Sequence, residues 1–309
     1  MSVPLLHYRP WNGELRGPTT SVWPIARVAL RVIFRRKLFW GIYGLGLMIF
    51  LLFFFGQYLL SWAEDQGDEA NVSVMGFKES PKTLVHVLRE ILKLDGEPHT
   101  YRNFFWYQGY IVMVVLALAG AVLIGNDIHH GSMPFYLSKP ISRWHYLGGK
   151  CFAISVFINL LTTLPALILY VQYGLLKSMD YFVDQFRTAL GILGYGALLT
   201  VTLSLLLVAT ASLVRRTVPQ IMIWTGLFFF CRLLSQALVD LLHYSRLWRL
   251  IDLWNDAYIV GNALLGIDPE RLVPREQPTW FEALLVLGAV CLLCLIYLIP
   301  RIRAVEIVR

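Results

Sequence analysis

Charge is scarce in this sequence. Asp, Glu, Lys and Arg make up 15% of 309 residues, against roughly 25% in an ordinary soluble domain. Hydrophobic residues make up 57%, and the mean hydropathy is +0.59. So few charges cannot coat a globular surface, which excludes a soluble enzyme and a disordered regulator. Several chemical signatures are missing as well. Gly149-Lys150 lacks both the earlier glycine and the following hydroxyl of a phosphate-cradling loop, so this chain has no ATP site of that kind. No His-Glu-x-x-His and no Gly-x-Ser-x-Gly occurs. No acid or histidine lies deep in an apolar run, which argues against a proton relay or an intramembrane hydrolase. Cysteine is rare too. Cys151, Cys231, Cys291 and Cys294 all lie in or beside apolar runs, and the Cys291/Cys294 spacing, without a nearby His or acid, reads as packing rather than redox or zinc chemistry. Asp127, His129, His130 and His145 do not make a metal set, because adjacent helical histidines point about 100° apart. No metal site is expected.

Long charge-free runs are what the chain does have. They cover Leu38–Ala63, Asn103–Asn126, Cys151–Leu176, Thr188–Val214 and Ala283–Pro300, with a further run from Thr217 interrupted only by Arg232. A membrane span needs about 20 apolar residues. The sequence therefore predicts an all-α polytopic membrane protein with six transmembrane helices in one domain, residues 38–309, preceded by a cytoplasmic lead, residues 1–37. The first 37 residues carry seven basic residues and no signal-type apolar core, so the first span is expected to be retained.

Six spans put both termini on one side. That side holds 15 of the 27 basic residues, from Arg9 to Arg309, opposed only by Glu14, Asp127 and Glu306. Basic residues beside span ends stay cytoplasmic, so both termini are expected there. The basic residues lie in twos and threes beside span ends, which makes them a topological signal and gives no reason to expect a nucleic-acid partner.

Within the lead, Val22, Ile25, Ala26, Ala29, Leu30 and Ile33 recur at helical spacing, while Arg27, Arg31 and Arg35 supply charge. This predicts an amphipathic helix in the cytoplasmic interface, with its apolar stripe among lipid chains. It is either a plain lipid anchor or an elbow that also touches a cytoplasmic partner. An external loop over 62–102 contains a predicted helix, Ser80–Leu94, opened by Pro81. In the third span, Asn159, Thr162 and Thr163 must face protein or a cavity, since lipid offers no hydrogen bonds. They are packing contacts or a candidate translocation path, and Pro165 frees a carbonyl that Thr162 or Thr163 can satisfy. The fourth span is rich in Gly, Ala, Ser and Thr and reads as an inner helix, paired with the fifth in an antiparallel hairpin. Arg232 falls about 20 Å up the fifth span, in the outer half of the core, with Asp240 as a candidate water-side partner. Residues 241–264 read as short external helices, re-entrant or interfacial, before the last span.

The most specific segment is the cytoplasmic loop over 126–150. It runs Asn-Asp-Ile-His-His-Gly-Ser-Met-Pro-Phe-Tyr-Leu-Ser-Lys-Pro-Ile-Ser-Arg and on to Leu-Gly-Gly-Lys. Gly131 ends one helix, and Pro140 suits the first turn of the next. A stiff bend joined to two spans can transmit a push from a soluble partner. The loop resembles that of the ABC-2 type transporter permeases, particularly the branch related to multicopper-enzyme maturation and nitrous oxide reductase assembly. There an acid, a Gly-Thr-Leu-like step, Leu-Ser-Lys/Arg-Pro-Ile/Val-Ser-Arg and Leu-Gly-Lys follow one another. Asp127, Gly131, Leu137, Ser138, Lys139, Pro140, Ile141, Ser142, Arg143, Leu147, Gly149 and Lys150 match, and Ser132-Met133 departs.

The resemblance implies a non-catalytic membrane subunit that forms a homodimer in a bacterial inner membrane and docks two ABC-type ATP-binding subunits. ATP and Mg would sit on those partners, with no cofactor in this chain. The loop would act as the coupling helix of an exporter. The alternative is a mechanotransmitting subunit that moves an external protein partner instead of cargo.

Overall fold

The computed structural model describes residues 22–65, 72–74, 77–79, 86, 89–90, 93–120, 143–214, 216–267 and 277–301. Among the described residues, five stretches are long and apolar enough to cross a membrane: Lys37–Glu64, Trp144–Lys177, Phe186–Leu213, Val218–Leu241 and Trp280–Pro300. The helix at the expected second span, Pro98–Gly120, is not among them. Its first turns are polar (His99, Thr100, Arg102, Asn103), and its expected inner end, to residue 126, lies outside the described residues.

In chain order the helices are α1 (Val22–Phe34), α2 (Lys37–Asp65), α3 (Pro98–Gly120), α4 (Arg143–Leu161), α5 (Thr163–Lys177), α6 (Asp180–Asp184) and α7 (Phe186–Leu213). Then come α8 (Thr217–Thr225) and α9 (Cys231–Gln236), each followed by a π-helical turn, Gly226–Phe230 and Ala237–Leu241. A 3-10 turn (Arg246–Ile251), α10 (Leu253–Leu264) and α11 (Trp280–Arg301) complete the described chain. Among the described residues the fold is all-α apart from one short antiparallel hairpin, β1 (Val72–Val74) with β2 (Phe77–Glu79), paired Val72 to Glu79 and Val74 to Phe77. Most of the predicted Ser80–Leu94 helix lies outside the described residues.

The centre of the bundle is α7. In its most apolar window 61% of the residues are buried, against 17% for α2 and for the Val218–Leu241 span. Gly191, Gly196, Ala209, Ala211 and Ser212 are among its buried positions. Small side chains let neighbouring backbones close in where lipid gives no hydrophobic drive between helices. The inner-helix expectation for the fourth span therefore agrees with the packing.

The third span breaks in the middle. Thr162 has φ −115 and ψ −74, well away from regular helix values near −63 and −42, three residues before Pro165. Its hydroxyl donates to the Ile158 carbonyl at 2.7 Å. The expected cap on the Leu161 carbonyl is thus not what Thr162 provides. Elsewhere, amide side chains inside spans reach backbone carbonyls across helices: Gln108 Nε2 to Gly46 O at 2.8 Å and Gln172 Nε2 to Phe54 O at 2.9 Å. At the outer end, Glu64 accepts from Arg89 at 2.5 Å and from Lys177, which ties α5 to the end of α2.

The predicted hairpin of the fourth and fifth spans holds at its base only. Thr210 Oγ1 accepts from Gln220 Nε2 at 2.9 Å and Trp224 Nε1 at 3.1 Å while donating to the Leu206 carbonyl at 2.8 Å. Both lone pairs and the proton of that hydroxyl are used. The α8 segment that carries this node also packs on α3, and beyond it the fifth span leans on α10 and the 3-10 turn.

Candidate functional site: an elbow and an outer groove

The loop residues Asp127, Gly131, Leu137, Ser138, Lys139, Pro140 and Ser142 lie outside the described residues. The description resumes at Arg143, the first residue of α4. Against the first turns of α4 lies α1. Ile25, Ala26, Ala29 and Ile33 form its buried stripe, as the spacing predicts, but the stripe packs on α4 and not among lipid chains. Protein burial wins because Gly149 is bare. A Cβ there would lie 2.8 Å from Ile25 Cβ and 3.1 Å from the Val22 carbonyl oxygen. Phe157 extends the seam, with ring centroids 5.4 Å from Phe34 and 5.3 Å from Phe39.

Arg27 and Arg31 are exposed on the opposite side of α1, next to exposed Trp23, Val28 and Val32, and Arg35 is exposed just past its end. Lys150 is buried, with Nζ 5.6 Å from the Tyr146 ring centroid. The helix leaving the 126–150 loop and the interface helix are thereby one packed unit. The sequence showed both elements, but their contact had only one visible signal, a glycine one turn into the third span.

Asn159, Thr162 and Thr163 are brought together where α4, α5 and α7 meet. Asn159 Nδ2 donates to the Ser155 carbonyl at 2.9 Å and to Thr200 Oγ1 at 3.0 Å. Thr162 and Thr163 are buried, and Thr163 Oγ1 faces Gly196.

The outer half holds a second constellation that sequence reading only half found. Arg232 Nη1 donates to Tyr110 Oη at 2.6 Å, and its guanidinium lies 4.9 Å from the Trp106 ring centroid. Asp240 is not its partner. Asp240 instead pairs with buried Arg249 at 2.6 Å, because the π-helical turn and the 3-10 turn fold the chain back on itself. Below Arg232 an apolar groove of about 580 Å³ opens between α3 and the fifth span, lined by Met113, Val114, Ala117, Ile221, Phe228 and Phe229 among others.

Trp254 closes the inner side of the groove. Its indole lies against α3, where a Cβ on Gly109 would fall 2.0 Å from the ring. The Asp252 carboxylate caps α10, accepting from the N–H groups of Trp254 at 3.1 Å and Asn255 at 3.2 Å. Beside it, Asp256 is buried with neither carboxylate oxygen hydrogen-bonded among the described residues. Burial, with the Asp252 charge adding to it, pushes the Asp256 carboxyl up to about 8. Of the predicted external helices at 241–264, α10 thus forms part of the packed core, while Leu241, Leu242, Leu247 and Trp248 before it are exposed. Trp254, Ala257, Ile259 and Val260 are buried.

A bundle of membrane-length helices around a small-residue inner helix, with α1 packed on the start of α4, defines a polytopic membrane protein. A family model described as ABC-2 family transporter protein matches residues 23–247, from α1 into the 3-10 turn. The chain belongs to the ABC-2 transporter family and is a permease subunit of an ABC transporter, a multi-pass membrane protein whose family implies an ATP-binding partner subunit. A search of curated proteins returns no match.

Proposed function

We propose that this permease is the membrane half of an exporter in a bacterial inner membrane, driven by two separate ATP-binding subunits that carry ATP and Mg. Those subunits dock on the 126–150 loop, with Asp127, Leu137, Ser138, Lys139, Pro140, Ser142 and Arg143 as contacts, and a second copy of the chain completes a homodimer. The observation that supports this most is the α1–α4 seam. A push on the loop reaches α4 at Arg143, and through Gly149 and Ile25 it carries α1 with it. The exposed Arg27, Arg31 and Arg35 then suit headgroup phosphates or an acidic edge of the ATPase.

A second reading, mechanotransmission to an external partner, has its own support. The polar groups of Asn159 and Thr162 bond within helix packing rather than to a cavity. Co-purification from native membranes tests the shared part of both readings. An Arg143→Glu chain that inserts normally but loses its ATP-binding subunit supports docking at the loop. Undiminished co-purification and ATPase activity of the complex contradict it.

A further inference from the structure

We propose that α10 is a proton-operated latch: a proton on Asp256 holds the helix in its seat between α7 and α11, and loss of that proton lets the helix leave. The latch is a property of the resting fold and does not depend on cargo or on ATPase coupling. The seat is close. Gly191 of α7 is bare where α10 ends, and a Cβ there would lie 2.7 Å from the Leu264 carbonyl oxygen. Gly261 of α10 is bare against the Tyr195 ring of α7. Ile259 and Val260 fill the seat with carbon.

Asp256 is the odd member of this seat. It is fully buried, yet neither carboxylate oxygen has a hydrogen bond among the described residues. Two buried donors nearby in the fold, the Trp254 indole N–H and the Tyr195 hydroxyl, do not serve it. On α10 itself, Asp252 lies one turn before Asp256 and adds negative charge. The cations on neighbouring elements answer other groups. Arg249 of the 3-10 turn pairs with Asp240, and Arg246 pairs with Glu282 at the start of α11 at 3.6 Å. Arg232 of α9 donates to Tyr110 of α3, and its charge, with that of Arg249, favours the Asp252 carboxylate. Arg187 of α7 lies beside Gly266, past the far end of α10. Tyr195 and Tyr258 bring no positive charge. Arg232 and Arg249 are therefore balanced by Asp240 and Asp252, and a charge on Asp256 has no counterion. A buried carboxylate in that position escapes the cost by taking up a proton.

Linkage fixes the direction. Seated, the carboxyl keeps its proton up to about pH 8; with α10 out in water it lets go near the ordinary value of 3.8. Between these values each opening releases one proton to water, so the open population grows about tenfold per pH unit and levels off above the upper value. A freed helix of this length is marginal in water, so its amides exchange when it leaves. The test is hydrogen–deuterium exchange of the purified full chain across this range, with rates corrected for intrinsic amide chemistry. Protection of residues 253–264 is expected to fall about tenfold from pH 6 to pH 7, to level off above about pH 8, and to lie below that of α7. Asp256→Asn is expected to keep the helix seated and remove the slope. Asp252→Asn can still cap α10 and is expected to bring the levelling-off to lower pH. A flat profile in wild type or the same slope in Asp256→Asn would overturn the latch. So would protection of α10 equal to that of α7, because the proton would then act only on the whole fold.

Discussion

Ile25 rests on Gly149 so closely that a Cβ on the glycine would begin 2.8 Å from it. Ordinary carbon contacts need about 3.5–4.0 Å. The interface helix and the third span therefore share a surface only while residue 149 has no side chain. That joint lies one residue before Lys150, the end of the loop expected to meet the ATPase.

Gly149→Leu tests the joint. Overpacking of this kind costs about 1–3 kcal/mol and is relieved by moving one helix off the other. Insertion and dimer formation are expected to persist while transport-coupled ATPase activity falls several-fold. A cysteine pair placed across the seam, Val22→Cys with Lys150→Cys, should cross-link readily in the parent and poorly in Gly149→Leu.

Thr210→Val removes the hydroxyl that two buried donors share. Gln220 and Trp224 are then left with unsatisfied N–H groups, at about 1–3 kcal/mol each. Thermal unfolding in detergent should show a lower Tm, and Gln220→Leu combined with Thr210→Val should cost less than the sum of the two single changes.

Asp256 predicts a pH dependence. Its carboxyl is pushed from 3.8 up to about 8 in the fold, so between those values the folded chain holds a proton that the unfolded chain has released. Stability is then fully present below about pH 4 and declines as pH rises through about 8. Asp256→Asn keeps the shape and removes the titration. Its Tm should exceed that of the parent at pH 8, and the parent's decline between pH 5 and 8 should flatten. A parallel slope in both chains would contradict the assignment.

Much of this architecture was legible in residue pattern alone. The charge-free runs mark the spans because lipid enforces them, and the 25-26-29-33 spacing marks the buried face of α1. What that face touches was not legible. An amphipathic stripe looks the same whether lipid or protein covers it, and the deciding feature, the bare Gly149, carries no periodic signal. Arg232 stood out as a charge in an apolar run, yet Asp240 was the wrong neighbour. Helical spacing placed the two acid-base candidates on one segment, while the π-helical and 3-10 turns that hand Asp240 to Arg249 arise from tertiary packing. The buried state of α10 was equally hidden, because Trp254 reads as an interfacial aromatic until the space beside Gly109 is seen.

The most direct measurement is where the 126–150 loop faces and what it touches. A photo-crosslinker at Ser138, in membranes containing the full transporter, should form an adduct with an ATP-binding subunit, and a cysteine at the same position should be labelled from the cytosolic side. Adduct yield should change between nucleotide-free and ATP-bound states. Labelling from the external side, or a loop that never cross-links to an ATP-binding subunit in any nucleotide state, would contradict the account.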